Sequence, residues 1–155
     1  MSTHPSRLAG LSGRVGTAVA LAASVVVAAT APAAAATTSG SCSTGGYFAL
    51  FRLEYVNHGE YHYPEEFSWG ISHNDGRLGD KNNVQARVKT VNTGGTDTVH
   101  YTWISGDNVE AGGGFHRIPD AVSVPRGRSM YGALEFVFDR PDDSDPRCTG
   151  RTKSV

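Results

Sequence analysis

From Tyr47 onward, apolar and polar positions alternate with a period of two in several separate runs, the signature of half-buried strands. The stretch Val84–Ser105 carries the clearest case. Two alternating runs there flank Gly94-Gly95, the composition of a tight β-hairpin. A two- or four-residue loop centred on the Gly pair sets Ala86 opposite Trp103, Arg87 opposite Thr102, Val88 opposite Tyr101 and Thr90 opposite Val99. In that register Ala86, Val88, Val99, Tyr101 and Trp103 share an apolar face. Gln85, Arg87, Lys89, His100 and Thr102 share the polar one. A slip of one residue would turn Trp103 and Tyr101 in among the charges, so the pattern and the turn specify the same register.

The remaining runs read the same way. Tyr47–Asn57 alternates Tyr47, Ala49, Phe51, Leu53 and Tyr55 against Phe48, Leu50, Arg52, Glu54 and Val56. Its first half is apolar on both faces, which predicts a strand that starts in the interior and runs out toward solvent. His58–Glu66 reads as an irregular connection, because Gly59 and Pro64 oppose a helix. Phe67–Ser72 resumes alternation, with Phe67, Trp69 and Ile71 on the inner face. His73–Asn83 is a polar connection with a turn at Asn74-Asp75-Gly76. Gly106–Gly114 reads as a loop, Ile118–Val124 as a short strand, and Val124-Pro125-Arg126-Gly127 as a type I turn. Met130–Arg140 aligns Met130, Leu134, Phe136 and Phe138 toward a core.

Strands separated by turn signals, with no helical period and no repeat, predict an all-β fold: an antiparallel β-sandwich (immunoglobulin-like) or barrel of about six to eight strands. The turn Val124-Pro125-Arg126-Gly127-Arg128-Ser129 ahead of a long aromatic strand resembles bacterial immunoglobulin-like modules. That likeness spans a few residues and implies fold alone.

Targeting changes how much of the chain enters this fold. Met1–Arg14 carries Arg7 and Arg14 and no acid, Val15–Ala31 is an uncharged apolar run, and Ala34-Ala35-Ala36 supplies small residues for cleavage. This is the layout of a Sec-type signal peptide over residues 1–36, so the expected location is extracellular. A membrane span is disfavoured because the run ends in Ala-Pro-Ala with no charged stop. The expected organisation is then a polar leader over 37–46, a β-sandwich over 47–140 and a polar tail over 141–155. The part after residue 36 carries every Tyr, Phe and Trp of the chain and a slight excess of acids over bases. With no block of like charge, neither nucleic acid nor an anionic membrane is an implied partner.

Cysteine usage adds a constraint. The only two, Cys42 and Cys148, bracket nearly the whole exported chain in an oxidising compartment. A disulfide between them would close a loop of about a hundred residues, worth about 4–5 kcal/mol in the chain-entropy model. It would hold the leader and the tail together.

Candidate chemistry is sparse. His58 and His62 flank Glu60, but on a strand they would lie about 13 Å apart, too far for one ion. Asp75, Asp80, Asn82 and Asn83 form one oxygen-rich connection and Asp142, Asp143 and Asp145 another, neither with calcium-loop spacing. There is no Gly-x-Ser-x-Gly elbow, and Glu65 and Glu66 point opposite ways on extended chain, so no catalytic residue is assigned. The three glycines at 112–114 precede no helix and make no phosphate cradle. No cofactor motif is found.

Trp69, Tyr101 and Trp103 fall in phase with aliphatic positions and are assigned to the core. Two other aromatic clusters fall in the connections, where a rigid sheet carries its binding residues: Tyr61, His62 and Tyr63, and Phe115, His116 and Arg117. The sequence therefore points to a secreted, non-catalytic binding or interaction module with those loops as its contact surface. Its partner would be an extracellular polymer, such as cell wall or polysaccharide, or a protein. A secreted inhibitor of an extracellular enzyme and a small secreted hydrolase are the rival functions. The hydrolase requires His58, His62 or His116 to converge with carboxylates.

Overall fold

The computed structural model describes residues 35–140 and 144–155; the apolar segment read as a signal peptide and the acids Asp142 and Asp143 lie outside them. Among the described residues the chain is all β, with two antiparallel sheets packed face to face. The strands are β1 (Ala35–Thr44), β2 (Tyr47–His58), β3 (Tyr61–His73), β4 (Asn83–Thr90), β5 (Thr98–Ile104), β6 (Gly112–Arg117), β7 (Val124–Pro125), β8 (Met130–Val137) and β9 (Arg147–Arg151). One sheet has the order β1-β2-β3-β6, with β7 extending the β6 edge of β3, and the other has the order β5-β4-β8-β9.

The alternation of β2 places Tyr47, Ala49, Phe51, Leu53 and Tyr55 in the core. Phe67, Trp69 and Ile71 of β3 meet them from the same sheet, and Val84, Ala86, Val88, Leu134 and Phe136 from the other. Fully burying each of the Val, Leu, Ile and Phe side chains among them contributes about 1.5–3 kcal/mol, so this two-layer interior is the main source of stability.

Several expected boundaries move, each for an identifiable reason. The polar leader is strand β1, in register with β2 from Ala35 opposite Val56 to Thr44 opposite Tyr47. Serines and threonines suit an edge strand whose outer face meets water. The tail likewise contains β9, paired with β8 through Cys148 opposite Phe136. His58–Glu66 is not a loop: a tight turn at Gly59-Glu60 joins β2 to β3, and Gly59 takes a φ of 56° there. Pro64 is tolerated inside β3 because it adjoins a β-bulge, where the register jumps from Glu54–Glu66 to Tyr55–Pro64 and leaves Glu65 unmatched. The last three residues of the expected loop Gly106–Gly114 open strand β6, and of the expected strand Ile118–Val124 only Val124 is strand, in β7. The turn after β7 closes one residue later than expected, with Arg128 N–H donating to the Pro125 carbonyl at 2.9 Å.

The β4–β5 hairpin keeps the expected pairs Ala86–Trp103, Arg87–Thr102 and Val88–Tyr101. Beyond Val88 a bulge shifts the register, so Val99 faces Lys89 and Thr90 faces Thr98. Val99 consequently leaves the apolar face and is 48% exposed. The connection is also longer than the Gly pair suggested, because Asn92 caps it. The Asn92 amide donates to the Thr96 carbonyl at 2.7 Å and to Thr98 Oγ1 at 3.0 Å.

The two seams of the sandwich are closed differently. On one side Cys42 of β1 and Cys148 of β9 form the disulfide, with Cα atoms 5.7 Å apart. Beside it Thr38 Oγ1 donates to the Lys153 carbonyl at 2.7 Å, and Lys153 N–H donates to the Ser39 carbonyl at 3.2 Å. The strands cross so closely that a Cβ on Gly40 would stand 2.3 Å from the Arg151 carbonyl oxygen. On the opposite side, β5 and β6 are bridged by rings. Trp103 stacks on Trp69 at 5.5 Å and on His116 at 4.1 Å, and Tyr101 Oη lies 2.7 Å from His116 Nε2.

Candidate binding face

The outer face of the β1-β2-β3-β6 sheet carries a row of side chains that the core does not use. Strand alternation turns Phe48 and Leu50 outward from β2, and they are 42% and 68% exposed. This corrects the expectation that the first half of that strand is buried on both sides. Directly across the ladders stand Ser43 and Ser72 beside Phe48, and Ser41 and Gly70 beside Leu50. Phe115 of β6 sits opposite Ser68 on the same face and is 66% exposed. The result is a floor of serine and glycine from which apolar groups project. Ser39, Ser41, Leu50, Arg52, Ser68 and Gly70 line a depression of about 570 Å³, and an adjoining one of about 400 Å³ runs along Phe48, Leu50 and Ser72.

At the other end of the same face, past the bulge, are Val56 and His58 of β2 and Tyr61 and Tyr63 of β3. The Tyr61 and Tyr63 rings lie 6.2 Å apart, and Tyr63 is 6.4 Å from the His58 ring. Val56, His58, Tyr63, Pro64 and Glu65 border a third depression, of about 370 Å³. Between the two ends lies a charged row in which Arg117 Nε approaches Glu66 Oε2 at 3.9 Å, with Glu54 alongside. From Phe48 to His58 the face runs about 33 Å along one strand.

The residues proposed from sequence thus divide. Tyr61, Tyr63, Phe115 and Arg117 share this outer face, carried by strands rather than loops. His62 and His116 alternate to the opposite side. His62 is buried, with Nδ1 2.6 Å from Asn57 Oδ1 and its ring edge against Tyr55. Burial, and secondarily the charge of Arg126, hold its pKa below the usual histidine value. His116 lies in the ring-closed seam, where burial lowers its pKa too. His58 and His62 therefore face opposite sides of the sheet and do not converge.

In the oxygen-rich connections, Asp75, Asn82 and Asp145 spend their side chains on the fold. Asn82 is buried, donates to the Gly79 and Val109 carbonyls at 2.8 and 2.7 Å, and accepts from Asp139 N–H at 2.8 Å. Asp145 Oδ1 accepts from Arg140 N–H at 3.1 Å. Asp75 pairs with Arg77 and His73, and the hydrogen bond from Arg77 is the main cause holding its carboxyl below the ordinary range. Those residues border a cavity of about 680 Å³, beside Tyr47 and Gly46, where Asp75 is already paired.

Phe48 and Leu50 are the exposed residues of this face that sequence reasoning missed. Their signal was present, since a strand apolar on both faces is either buried twice or exposed once. No family model, no curated protein and no solved structure matches the chain.

Proposed function

We propose that this chain is a secreted binding module that holds an extracellular polysaccharide on the outer face of the β1-β2-β3-β6 sheet. One observation carries the reading. Exposed Phe48, Leu50 and Phe115 at one end, and Tyr61 and Tyr63 at the other, stand on a single open face floored by serine and glycine. Apolar groups gathered at each end of a face left open to water mark it as an interaction surface. Rings that alternate with hydroxyls suit a ligand that is itself apolar on its ring faces and polar at its edges, as sugars are. The length of the face suits a linear polymer better than a small molecule. Its central band balances Arg52 and Arg117 against Glu54 and Glu66, which suits a neutral chain. The disulfide and the absence, among the described residues, of a helix long and apolar enough to cross a membrane are compatible with an extracellular location.

The test is co-sedimentation with purified cell wall and a panel of insoluble polysaccharides, comparing the wild type with Phe48→Ala/Phe115→Ala and with Tyr61→Ala/Tyr63→Ala. Retention by at least one neutral polymer, lost in the first variant and weakened in the second, is the expected result.

A further inference from the structure

Across the centre of the outer face, Thr37 of β1, Glu54 of β2, Glu66 of β3 and Arg117 of β6 stand in one cross-strand row. The row holds two carboxylates against one guanidinium. Arg117 leans to Glu66 at 3.9 Å, and Glu54 has no ion-pair partner among the described residues. Opposite-charge neighbours across a ladder stabilise a sheet and like charges oppose it. Arg52, the other cation on this part of the face, stands two residues along β2 between Ser39 and Ser68, so no cation faces Glu54 across a ladder. The residue facing Glu54 is Thr37, the first after the small-residue run Ala34-Ala35-Ala36.

We infer that the peptide bond between Ala36 and Thr37 is hydrolysed during export, before β1 docks, and that the new α-ammonium of Thr37 becomes the missing cation beside Glu54. Water adds across the amide: the C–N bond breaks, Ala36 leaves as a carboxylate, and the Thr37 nitrogen takes up a proton. An α-amino group with a pKa of about 7.7–8.0 is mainly cationic at neutral pH. The order of events follows from the fold. In the folded chain Ala36 is paired with Tyr55 and packed against the core, so the bond lies inside a formed strand. The position follows from alternation. A cut one residue earlier would start the chain at Ala36, which faces the core opposite Tyr55 with no carboxylate across from it.

This inference rests on export of the chain and is independent of what the outer face binds. The test starts from the protein secreted by a bacterial host from its own full-length sequence. Intact mass and N-terminal sequencing are expected to give Thr37. Glu54→Gln is then made in that mature chain and in one beginning at Ala35, which displaces the ammonium. In the mature chain the melting temperature is expected to fall by about 2–3 °C, the scale of one exposed ion pair in a domain of this size, with a smaller change in the longer chain. A different N-terminus, or an equal effect of Glu54→Gln in both chains, would overturn it.

Discussion

A Cβ built on Gly114 would stand 2.8 Å from Cε2, Cζ2 and Nε1 of Trp69, the residue directly across the β3–β6 ladder. Trp69 lays its indole over the backbone of β6 and reaches Trp103 of the opposite sheet beyond it. A strand with side chains at that position would push the indole off this contact. Glycine at 114 is therefore a packing requirement. Gly114→Ala is expected to cost about 1–3 kcal/mol, the usual penalty of overpacking, measured by urea denaturation. Gly113→Ala serves as the control, because its Cβ would meet nothing closer than the Trp69 carbonyl oxygen at 3.7 Å.

That pair also shows where sequence reading stops. The alternation of Tyr47–Tyr55, Phe67–Ile71 and Met130–Phe138 is a local property, so the core faces of β2, β3 and β8 were legible, and so was the centre of the β4–β5 ladder. A triple glycine carries no alternation, and what it accommodates is Trp69, more than forty positions away in sequence. It reads as a loop for that reason. The leader and the strand around Pro64 were missed on the same ground: a hydroxyl-rich edge strand and a proline beside a bulge lack the pattern that marks a half-buried strand. The disulfide was legible because a chain with only two cysteines leaves each a single possible partner. Of the candidate site, the rings of Tyr61, Tyr63 and Phe115 were visible, but their common face with Phe48 depends on the pairing of β2, β3 and β6.

Replacing both Cys42 and Cys148 by Ala is expected to remove about 4–5 kcal/mol, since the bridge spans 106 positions. Denaturant unfolding of the double variant against the oxidised wild type measures the loss. Amide exchange should rise first in β1 and β9, whose seam the bridge closes.

Stability should fall on the acid side of neutrality. His62, His100 and His116 all have folded-state pKa values lowered chiefly by burial. The unfolded chain therefore binds more protons than the folded one once pH drops below about 7, and stability is lost as pH falls through the unfolded histidine value near 6.5 toward the lower folded values. The depressed carboxyls of Asp75 and Asp97 act in a separate window, below about pH 4. Melting temperatures from pH 8 to 5 are expected to decline in the wild type and to decline less steeply in His62→Gln, whatever that substitution does to stability at pH 8. A parallel slope in the variant would remove His62 from the account.

The central claim is that the outer face of the β1-β2-β3-β6 sheet holds a neutral polysaccharide, and the most direct measurement is the depletion isotherm of the protein on insoluble polymers with Phe48→Ala/Phe115→Ala alongside. Both rings are exposed and outside the core, so this variant should melt within about 2 °C of the wild type, the small effect typical of surface substitutions. Saturable retention on at least one neutral polymer, weakened about tenfold or more in the variant at unchanged fold, is the expected result. Retention equal in the two proteins, or no retention on any polymer while a protein partner is captured stoichiometrically, would contradict the claim.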